Sequence, residues 1–524
     1  MSKKKNLERA IVLGLILSTG VYGNVLAADP DGIGIDQFKG GPENSVITVN
    51  VDTIVNGTED YGPDITVPDV GDNSLFNEKN ENMTVTAGNV KLTFNGVNMI
   101  SPHIVRAGGT NGADIVIDNT NQDKPDGDGL NTGINVSGYI EGNSLTVKSD
   151  SRGIWTGVGG NYSPVKINGE DFWGVHINVN DEFRLESFSY AIFNEGYNQG
   201  NVDITSGTVY IENQNNNGVY NVGRDNDYGN NMTITATNGD IVIKSHGADK
   251  SDRASVKNTT SGTTALTASG IIDIYGAANG IYATKGTVNL SSKYGNSISA
   301  EVYEGEDFKQ RRSISAEGGS QVNLNAIAGS NVLNGVIFAK DDTTSVTLKH
   351  NILNEEGNVV KRGSGSNYIY SSSKGSKDTV GDRSDVVAAL YAQNEGRIEL
   401  AAGEGGINYI ESFYTDLDNS NTSNDSERTV WAQRGGVIDI NGTTVIKSSN
   451  AENFYEDGYA TNSRGVAITA GSGDITTDPI PEGVRSTVNV EYGGAVTLKD
   501  KTTFSSAIYG DIAAGYGGLI NISR

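Results

Sequence analysis

The chain contains no cysteine among its 524 residues. Disulfide bonds and thiolate metal sites are therefore excluded, and packing and hydrogen bonds alone must hold the fold together. Positive charge is scarce as well, because 39 Lys and Arg stand against 64 Asp and Glu, for a formal net charge of −25. Phosphate repels such a chain, so the composition argues against a nucleic-acid-binding protein.

Proline and helical periodicity are also rare. The chain has only 9 prolines but 68 glycines, which together are too few for a low-complexity polymer. Hydrophobic residues make up 36%, which is enough for a sizeable core in a chain of this length. After residue 28 the helical pattern of apolar residues nearly vanishes, and no later segment is apolar enough to cross a bilayer as a helix.

Residues 1–27 have the organisation of a secretory signal peptide. A positively charged region that ends at Arg9 precedes an apolar stretch, and Val25 and Ala27 are the small residues expected just before a cleavage site. We therefore predict export through the inner membrane, and a location at the cell surface, in the outer membrane or outside the cell.

Short segments that alternate between apolar and polar residues fill the rest of the chain. This period of two is typical of β-strands, and Asn-Gly, Gly-Asn and Gly-Gly turns separate the segments. Examples are ITVNV (47–51), VKLTF (90–94), DIVID (114–118), SLTVK (144–148), TVYIE (208–212) and DIVIK (240–244).

A longer phrase recurs in the second half of the chain. It consists of apolar-x-Ala, a turn that usually contains Gly, and apolar-x-apolar, which predicts a strand, a tight corner and a second strand. The copies include ALTASGIIDI (265–274), GIYATKGTVNL (280–290), SISAEGGSQVNL (313–324), ALYAQNEGRIEL (389–400), TVWAQRGGVIDI (429–440) and DIAAGYGGLINI (511–522). The predicted inward residues are Ile281, Ala283, Val288 and Leu290 in one copy, Leu390, Ala392, Ile398 and Leu400 in a second, and Val430, Ala432, Ile438 and Ile440 in a third.

A unit of this kind can bury its apolar face only against further copies of itself. We therefore predict an all-β fold, a parallel β-helix (β-solenoid), rather than a β-sandwich array or a propeller. An N-terminal cap with the first strands is expected over 28–82 and the β-helix over 83–524, with loop-like insertions near 301–312, 351–387 and 411–428.

With the signal peptide and the phrases GIYATKGTVNL, ALYAQNEGRIEL, TVWAQRGGVIDI and DIAAGYGGLINI, the chain resembles the passenger domains of autotransporters, the type V secretion proteins. The resemblance runs from about residue 45 to 522, and each motif is of low specificity. It implies a right-handed β-helix displayed on or released from the cell surface, where many relatives act in adhesion, aggregation or biofilm formation. Relatives end in a membrane β-barrel, whereas this sequence stops at GGLINISR without one, so we expect either a truncated product, which we favour, or a secreted protein that lacks its own translocator.

Motifs for catalysis and metal binding are few. There is no G-x-S-x-G or H-E-x-x-H motif, and four histidines (His103, His176, His246 and His350) lie in unrelated segments. We therefore expect no catalytic residue, no cofactor and no metal.

Two acidic features of the sequence each allow more than one interpretation. Asp123, Asp126 and Asp128 form a loop of the type that binds calcium, or an ordinary polar turn. Asp273 and Asp439 occupy the same outward position of the repeated phrase, which allows either an acidic column, as in a polysaccharide-active enzyme, or a solubilising outer face, and we favour the second.

The middle residue of apolar-x-Ala is often aromatic. If the copies lie in register, these residues form a stripe outside the core, which is exposed to partners, covered by insertions, or simply stacked ring on ring from coil to coil. The predicted contact stripe consists of Tyr282, Phe338, Tyr391, Trp431 and, by analogy, Tyr509.

These features together predict a non-catalytic surface protein that works by contact. Its partner would be a protein or glycan on a host or neighbouring cell. A β-helical polysaccharide lyase or hydrolase is one alternative, and a self-associating surface scaffold is another.

Overall fold

The structure is a computed structural model of the whole chain. The residues that it describes are 24–25, 33–34, 46–56, 84–97, 99–120, 132–156, 165–167, 170–195, 200–222, 229–247, 252–300, 312–354, 358–373, 388–414, 428–450, 466–471, 488–490, 495–499, 502–505, 512–514 and 519–523. Within these ranges there is no helix, and consequently none that is long and apolar enough to cross a membrane.

The chain divides into two compact units, unit 1 over Met1–Glu212 and unit 2 over Asn213–Arg524. Each unit contains three parallel sheets, which we call A, B and C. The chain visits them in that order and then returns to A, so that each strand pairs with the equivalent strand of the next coil. This arrangement confirms the predicted parallel β-helix.

In unit 1, most strands have between two and six residues. Sheet A contains Asn24–Val25, Val46–Val49, Thr84–Ala87, His103–Arg106, Gly138–Gly142, Gly174–Val179 and Asn201–Ser206. Sheet B contains Ile33–Gly34, Thr53–Asn56, Lys91–Asn95, Asp114–Asn119, Ser144–Ser149, Glu182–Ser187 and Thr208–Asn213. Sheet C contains Met99–Ile100, Ile134–Val136, Ile154–Thr156 and Ile192–Asn194, and a separate antiparallel hairpin pairs Val165–Ile167 with Glu170–Phe172.

Unit 2 repeats the same order of strands. Sheet A contains Met232–Ala236, Thr263–Ala268, Thr287–Ser292, Gln321–Ala326, Ser345–Lys349, Arg397–Ala401, Val437–Asn441, Ala495–Lys499 and Leu519–Ser523. Sheet B contains Ile241–Ser245, Ile271–Gly276, Gly295–Ala300, Ser330–Asn334, Asn367–Ser373, Asn408–Tyr414, Thr444–Asn450 and Thr502–Ser505. Sheet C contains Val219–Asn221, Ala254–Asn258, Asn279–Ala283, Arg312–Ala316, Val336–Lys340, Leu390–Gln393, Arg428–Gln433, Val466–Gly471, Val488–Val490 and Ile512–Ala514.

The core consists of aliphatic columns inside the coils. In sheet A of unit 2, Leu266, Leu290, Leu324 and Leu348 are partners in successive coils and are each at most 1% exposed. All twelve residues that the repeated phrase places inward are likewise buried. Because neighbouring strands lie about 4.8 Å apart, each side chain in such a column packs on its equivalents above and below.

A buried ladder of asparagines crosses the coils of unit 2 at the start of the sheet B strands. The Nδ2 of Asn296 donates to the Oδ1 of Asn331 at 2.7 Å, and Asn331 and Asn367 donate in the same direction to Asn367 and Asn408 at 2.8 Å each. All four amides are at most 1% exposed. Buried amides cost free energy unless they are hydrogen-bonded, so this ladder favours the observed register over a shifted one.

The structure corrects part of the insertion that was predicted at 351–387. Within 351–387, the segment Asn367–Ser373 is not a loop but a strand that pairs with Ser330–Asn334 and Asn408–Tyr414 in sheet B. Its tyrosines and isoleucine alternate as NYIY, which is the strand pattern. An antiparallel hairpin, Asn351–Leu353 with Val359–Arg362, does interrupt the coil there.

Other predicted segments lie largely outside the described residues. These are the insertion segments 301–311, 374–387 and 415–427, most of the cap over 28–82, and the signal peptide except for Asn24–Val25, which pairs with Ile47 and Thr48.

The predicted acidic pair Asp273 and Asp439 is also corrected. Asp273 lies in sheet B, opposite Val242 and Ser297, whereas Asp439 lies in sheet A and forms an ion pair with Arg397. The phrase at 265–274 spans the corner between sheets A and B, while the other copies quoted above span the corner between C and A. Both corners follow apolar-x-Ala and contain Gly, so the phrase alone does not distinguish them.

The corners between sheets C and A require left-handed backbone. Gly286 has φ +58°, as expected, but the equivalent corner after Leu390–Gln393 places Asn394 at +51° and Glu395 at +69°. A Cβ on Gly286 would lie 2.2 Å from the carbonyl oxygen of Gly262 in the preceding coil. Glycine is therefore needed at position 286 both for its φ angle and for the close approach of two coils.

We expect Gly286→Ala to destabilise the protein by roughly 1–3 kcal/mol, because the variant combines a strained φ with a backbone clash. The matched control is Glu395→Gly, which relieves a positive φ and should leave stability unchanged or slightly higher. Thermal unfolding followed by circular dichroism measures both. An unchanged melting temperature for Gly286→Ala would contradict the role assigned to this corner.

Candidate contact site

The predicted aromatic stripe aligns in register on sheet C. Phe338 pairs with Tyr391, and Tyr391 pairs with Trp431. Their ring centroids lie 5.1 Å and 4.4 Å apart, and the rings of Tyr391 and Trp431 are stacked at an interplanar angle of 12°. Because Ile337 and Ala339 point into the core on either side of Phe338, alternation places these rings on the outer face of the sheet.

These three rings are nevertheless buried. Phe338 and Tyr391 are 1% exposed and Trp431 is 0% exposed, and Val336 and Ala388 join them in one apolar cluster. The covered form of the stripe is therefore the one present here, and the rings pack coil on coil. At this end of unit 2 the stripe stabilises the fold.

Cations replace or flank the rings further towards the start of unit 2. Lys257 lies between Tyr220 and Tyr282 in the same column, with its Nζ 4.8 Å and 5.3 Å from their ring centroids, and pairs with Asp252 at 2.8 Å. Burial, together with nearby negative charges, raises the pKa of Tyr282 to about 12. Tyr282 is half-buried, so this part of the stripe reaches solvent while the part at Trp431 does not.

In the next coil, Arg312 at the start of the sheet C strand lies over the ring of Phe338, with 4.3 Å between its Cζ and the ring centroid. Its guanidinium also forms an ion pair with Glu317 at 3.3 Å. The column thus continues across the coil that carries Ser315 in place of a ring.

Tyr509, the last predicted member of the stripe, lies outside the described residues. The last described strand of sheet C, Ile512–Ala514, has Ala513 at its middle position. The carboxylates Asp123, Asp126 and Asp128 are also outside the described residues. Within the described part of the chain, no group of three or more His, Asp or Glu side chains is placed to hold a metal ion.

Sequence reasoning missed an equivalent aromatic column in unit 1. Trp155 and Phe193 are partners at the middle of two sheet C strands, and the guanidinium of Arg152 lies 3.7 Å from the Trp155 ring centroid. The signal was present as IWT (154–156) and IFN (192–194), in which Thr or Asn takes the place of Ala. A search restricted to apolar-x-Ala therefore overlooked these strands.

Two of the four histidines, which lie in unrelated segments of the sequence, contact the same tyrosine on the outer face of sheet A in unit 1. Tyr139 lies between His103 and His176 in register, with ring centroids 5.5 Å and 4.9 Å away. His176 contacts the carboxylate of Asp203 at 3.3 Å, and burial lowers the pKa of His103. Parallel pairing brings together residues that lie 36 or 37 positions apart in the chain, a distance over which no sequence motif indicated contact.

A second aromatic surface was not predicted at all. Tyr368 and Tyr370 lie on one sheet B strand of unit 2 and Tyr409 on the next, with ring centroids 5.8–6.5 Å apart and the first two rings parallel within 2°. All three side chains are half-buried, and Val332, the partner of Tyr368 in the preceding coil, is 39% exposed. We call Tyr368, Tyr370 and Tyr409 the tyrosine platform.

A repeated tripeptide orients one ring of the platform. Tyr409 donates a hydrogen bond of 2.7 Å to Glu411 two residues later, and the same Tyr-Ile-Glu sequence forms the same bond at Tyr139 and Tyr210. Burial and the bonded carboxylate raise the pKa of all three tyrosines. These phenols therefore stay protonated at neutral pH and keep their hydrogen bonds. The Tyr-Ile-Glu sequence at 409–411 was the feature of the sequence that could have indicated this surface.

We expect Trp431→Ala to destabilise the protein by about 3–5 kcal/mol, because it leaves a cavity in the buried stack. Tyr294→Ala is the control, since Tyr294 is 56% exposed and its loss should change stability by less than about 0.5 kcal/mol. Thermal unfolding of both variants measures the difference. If Trp431→Ala melts with the wild type, the stack does not stabilise the coils.

The candidate contact site has two parts, a buried aromatic stack on sheet C and a half-exposed tyrosine platform on sheet B. The chain was compared with protein-family models, with curated proteins and with solved structures, and no match was found.

Proposed function

We propose that this protein is a non-catalytic, exported β-helical passenger of the autotransporter type. In this proposal the passenger acts at the cell surface, or after release, in adhesion, aggregation or biofilm contacts. The β-helix supports this role because its interior is filled by aliphatic columns, which leaves the outer sheet faces to carry recognition. The signal peptide predicted from the sequence supplies the route out of the cell.

The observation that carries the proposal is the tyrosine platform. These three rings lie side by side and each remains partly open on the outer face of sheet B, whereas the ring of Trp431 is covered. Flat aromatic faces stack on the apolar faces of sugar rings, and hydroxyls at their edges bond to sugar hydroxyls.

The net charge of the chain limits the class of glycan that the tyrosine platform would bind. With a net charge of −25, the protein repels polyanionic glycans at long range, and the buried carboxylate of Glu411 adds negative charge beside Tyr409. Neutral sugars and amino sugars are the chemistry that this surface favours. A single stacking contact is weak, so firm attachment requires many copies of the protein acting together.

The test measures binding of the full chain to immobilised neutral and amino-sugar glycans by surface plasmon resonance. Tyr368→Ala with Tyr370→Ala should weaken binding roughly tenfold or more, because two stacking surfaces are lost. Tyr294→Ala is the matched control and should bind as the wild type does. Circular dichroism should show unchanged strand content in both variants.

Two results would overturn the proposal. Equal binding by the platform variant and the control would show that the platform makes no contact with glycans. Consumption of the glycan, followed by its reducing ends, would favour the alternative of a polysaccharide lyase or hydrolase. Intact glycan, with binding that depends on Tyr368 and Tyr370, is the expected outcome.

A further inference from the structure

A buried histidine, His350, lies beside the asparagine ladder of unit 2 and is 1% exposed. Its Nδ1 lies 2.7 Å from the carbonyl oxygen of Ala326, and its Nε2 lies 3.1 Å from the Oδ1 of Asn367. Both ring nitrogens therefore face oxygen atoms that accept hydrogen bonds. A neutral imidazole carries one N–H and can donate to only one of them, whereas an imidazolium carries two and can donate to both.

The orientation of the Asn367 amide determines whether Nε2 faces an oxygen or a nitrogen, and the rest of the ladder fixes that orientation. At the end of the ladder, the Nδ2 of Asn408 donates to the carbonyl oxygen of Asn441 at 2.9 Å. Because that carbonyl only accepts, the Oδ1 of Asn408 must face Asn367, whose Nδ2 donates to it at 2.8 Å. The Oδ1 of Asn367 is thereby turned towards Asn331 and His350. Reversing this one amide would place like groups against each other.

The two protonation states of His350 consequently make different contacts. The neutral ring keeps its proton on Nδ1, where the shorter bond to Ala326 lies, and the lone pair of Nε2 then faces the Oδ1 of Asn367. The imidazolium donates from both nitrogens and holds Asn367 as well as Ala326. Hydrogen bonds from a charged donor are shorter and stronger than neutral ones.

The ring of His350 is closely packed. A Cβ on Gly365 would lie 2.5 Å from its Nδ1 and 2.1 Å from the carbonyl oxygen of Gly329, so only glycine leaves room for the ring. The backbone carbonyl of His350 accepts a hydrogen bond of 2.7 Å from the N–H of Gly363. A proton that is added or removed at this site therefore changes the hydrogen bonds of the ring rather than its position.

Most groups around His350 are uncharged. The adjoining strands Gln321–Ala326, Ser330–Asn334 and Asn367–Ser373 contain no acidic, basic or histidine residue. Their titratable side chains are Tyr368 and Tyr370, and phenols ionise far above neutral pH. The charged residues described on the other adjoining segments are Arg362 and Lys361 of the hairpin, Lys349, which pairs with Glu399 at 3.4 Å, and the exposed Glu404.

Burial is the largest influence on His350 and lowers its pKa from the ordinary value of 6.5. The hydrogen bonds to Ala326 and Asn367 raise the pKa in part, and Arg362 lowers it again. His350 is therefore neutral at neutral pH and gains its second proton as the pH falls below 6.5. Because the unfolded chain takes up this proton more readily, the stability of the whole fold decreases over the same range while the second bond forms.

We propose that His350 is a positioning residue for the tyrosine platform, and that its imidazolium form holds the platform strand through Asn367. Asn367 immediately precedes Tyr368 on the strand Asn367–Ser373, which carries two of the three rings. A second hydrogen bond to Asn367 fixes the start of that strand and reduces the entropy cost of binding. This inference rests on the proposed glycan binding and adds to it a dependence on pH.

Surface plasmon resonance of the full chain on immobilised neutral glycans tests the inference at about pH 7.5 and about pH 5. The wild type should bind roughly threefold more tightly at the lower pH, because the imidazolium organises the platform in advance. His350→Gln should bind equally at both values, since an amide does not titrate. His246→Gln is the matched control, because His246 is half-buried beside Tyr275 and away from the ladder, and it should keep the pH dependence of the wild type.

Two further measurements need no glycan. Hydrogen exchange followed by mass spectrometry, corrected for the intrinsic effect of pH, should show segment 367–373 roughly threefold better protected at about pH 5 than at about pH 7.5 in the wild type but not in His350→Gln. Nitrogen-15 NMR of the wild type, labelled at its four histidines, should show His350 with one N–H at the higher pH and two at the lower. Its signals are assigned with variants of the other three histidines.

The inference is overturned if His350→Gln retains the pH dependence of glycan binding, or if the protection of segment 367–373 in the wild type does not change with pH. Should His350→Gln fail to fold, the NMR titration decides, and a ring that gains no second proton by about pH 5 overturns the inference. Absence of glycan binding at both pH values, with protection that still depends on pH and on His350, would overturn the proposed function and support the positioning of the strand by His350.

Discussion

Coil-on-coil stacking is the constraint on which this structure depends. Each strand satisfies its backbone hydrogen bonds only through the strands of the adjacent coils, and each aliphatic residue is covered only by its equivalents above and below. The stack therefore selects side chains that fit a repeat of about 4.8 Å, such as the leucines of sheet A and the buried asparagines from Asn296 to Asn408. Without cysteine, packing of this kind must also supply the stability that disulfides would give.

The same stacking explains why the aromatic residues of sheet C are buried in some coils and partly exposed in others. On sheet C, three successive coils carry a ring at the same position, and the stack from Phe338 to Trp431 closes into an apolar cluster. Where Lys257 interrupts the column, the adjacent Tyr282 stays half-buried, because a cation must keep its charge near a carboxylate or solvent. A position in the repeat thus determines which face a ring occupies, and its neighbours along the column determine whether that ring is exposed.

The sequence was sufficient to predict the parallel β-helix and its inward residues, because a period of two and a repeated corner are local signals. It was not sufficient to predict that Tyr391 and Trp431 are buried, since alternation identifies a face but not what covers that face. It also placed Asp273 and Asp439 together wrongly, because two kinds of corner share one phrase. Tyr368 and Tyr370 were missed because their strand lay inside a segment interpreted as a loop.

The coils of unit 2 depart from regularity in two neighbouring places, and both carry partly exposed side chains. A perfectly regular coil repeats the same side chain on the same face, so it offers a partner many identical weak contacts and little specificity. The tyrosine platform arises in two adjacent sheet B strands, and the hairpin of 351–362 lies in the chain just before the first of them, fixed by His350 and the asparagine ladder. Because Asn367 belongs both to that ladder and to the strand that carries Tyr368, the buried amides that favour the register also orient the surface that faces the solvent.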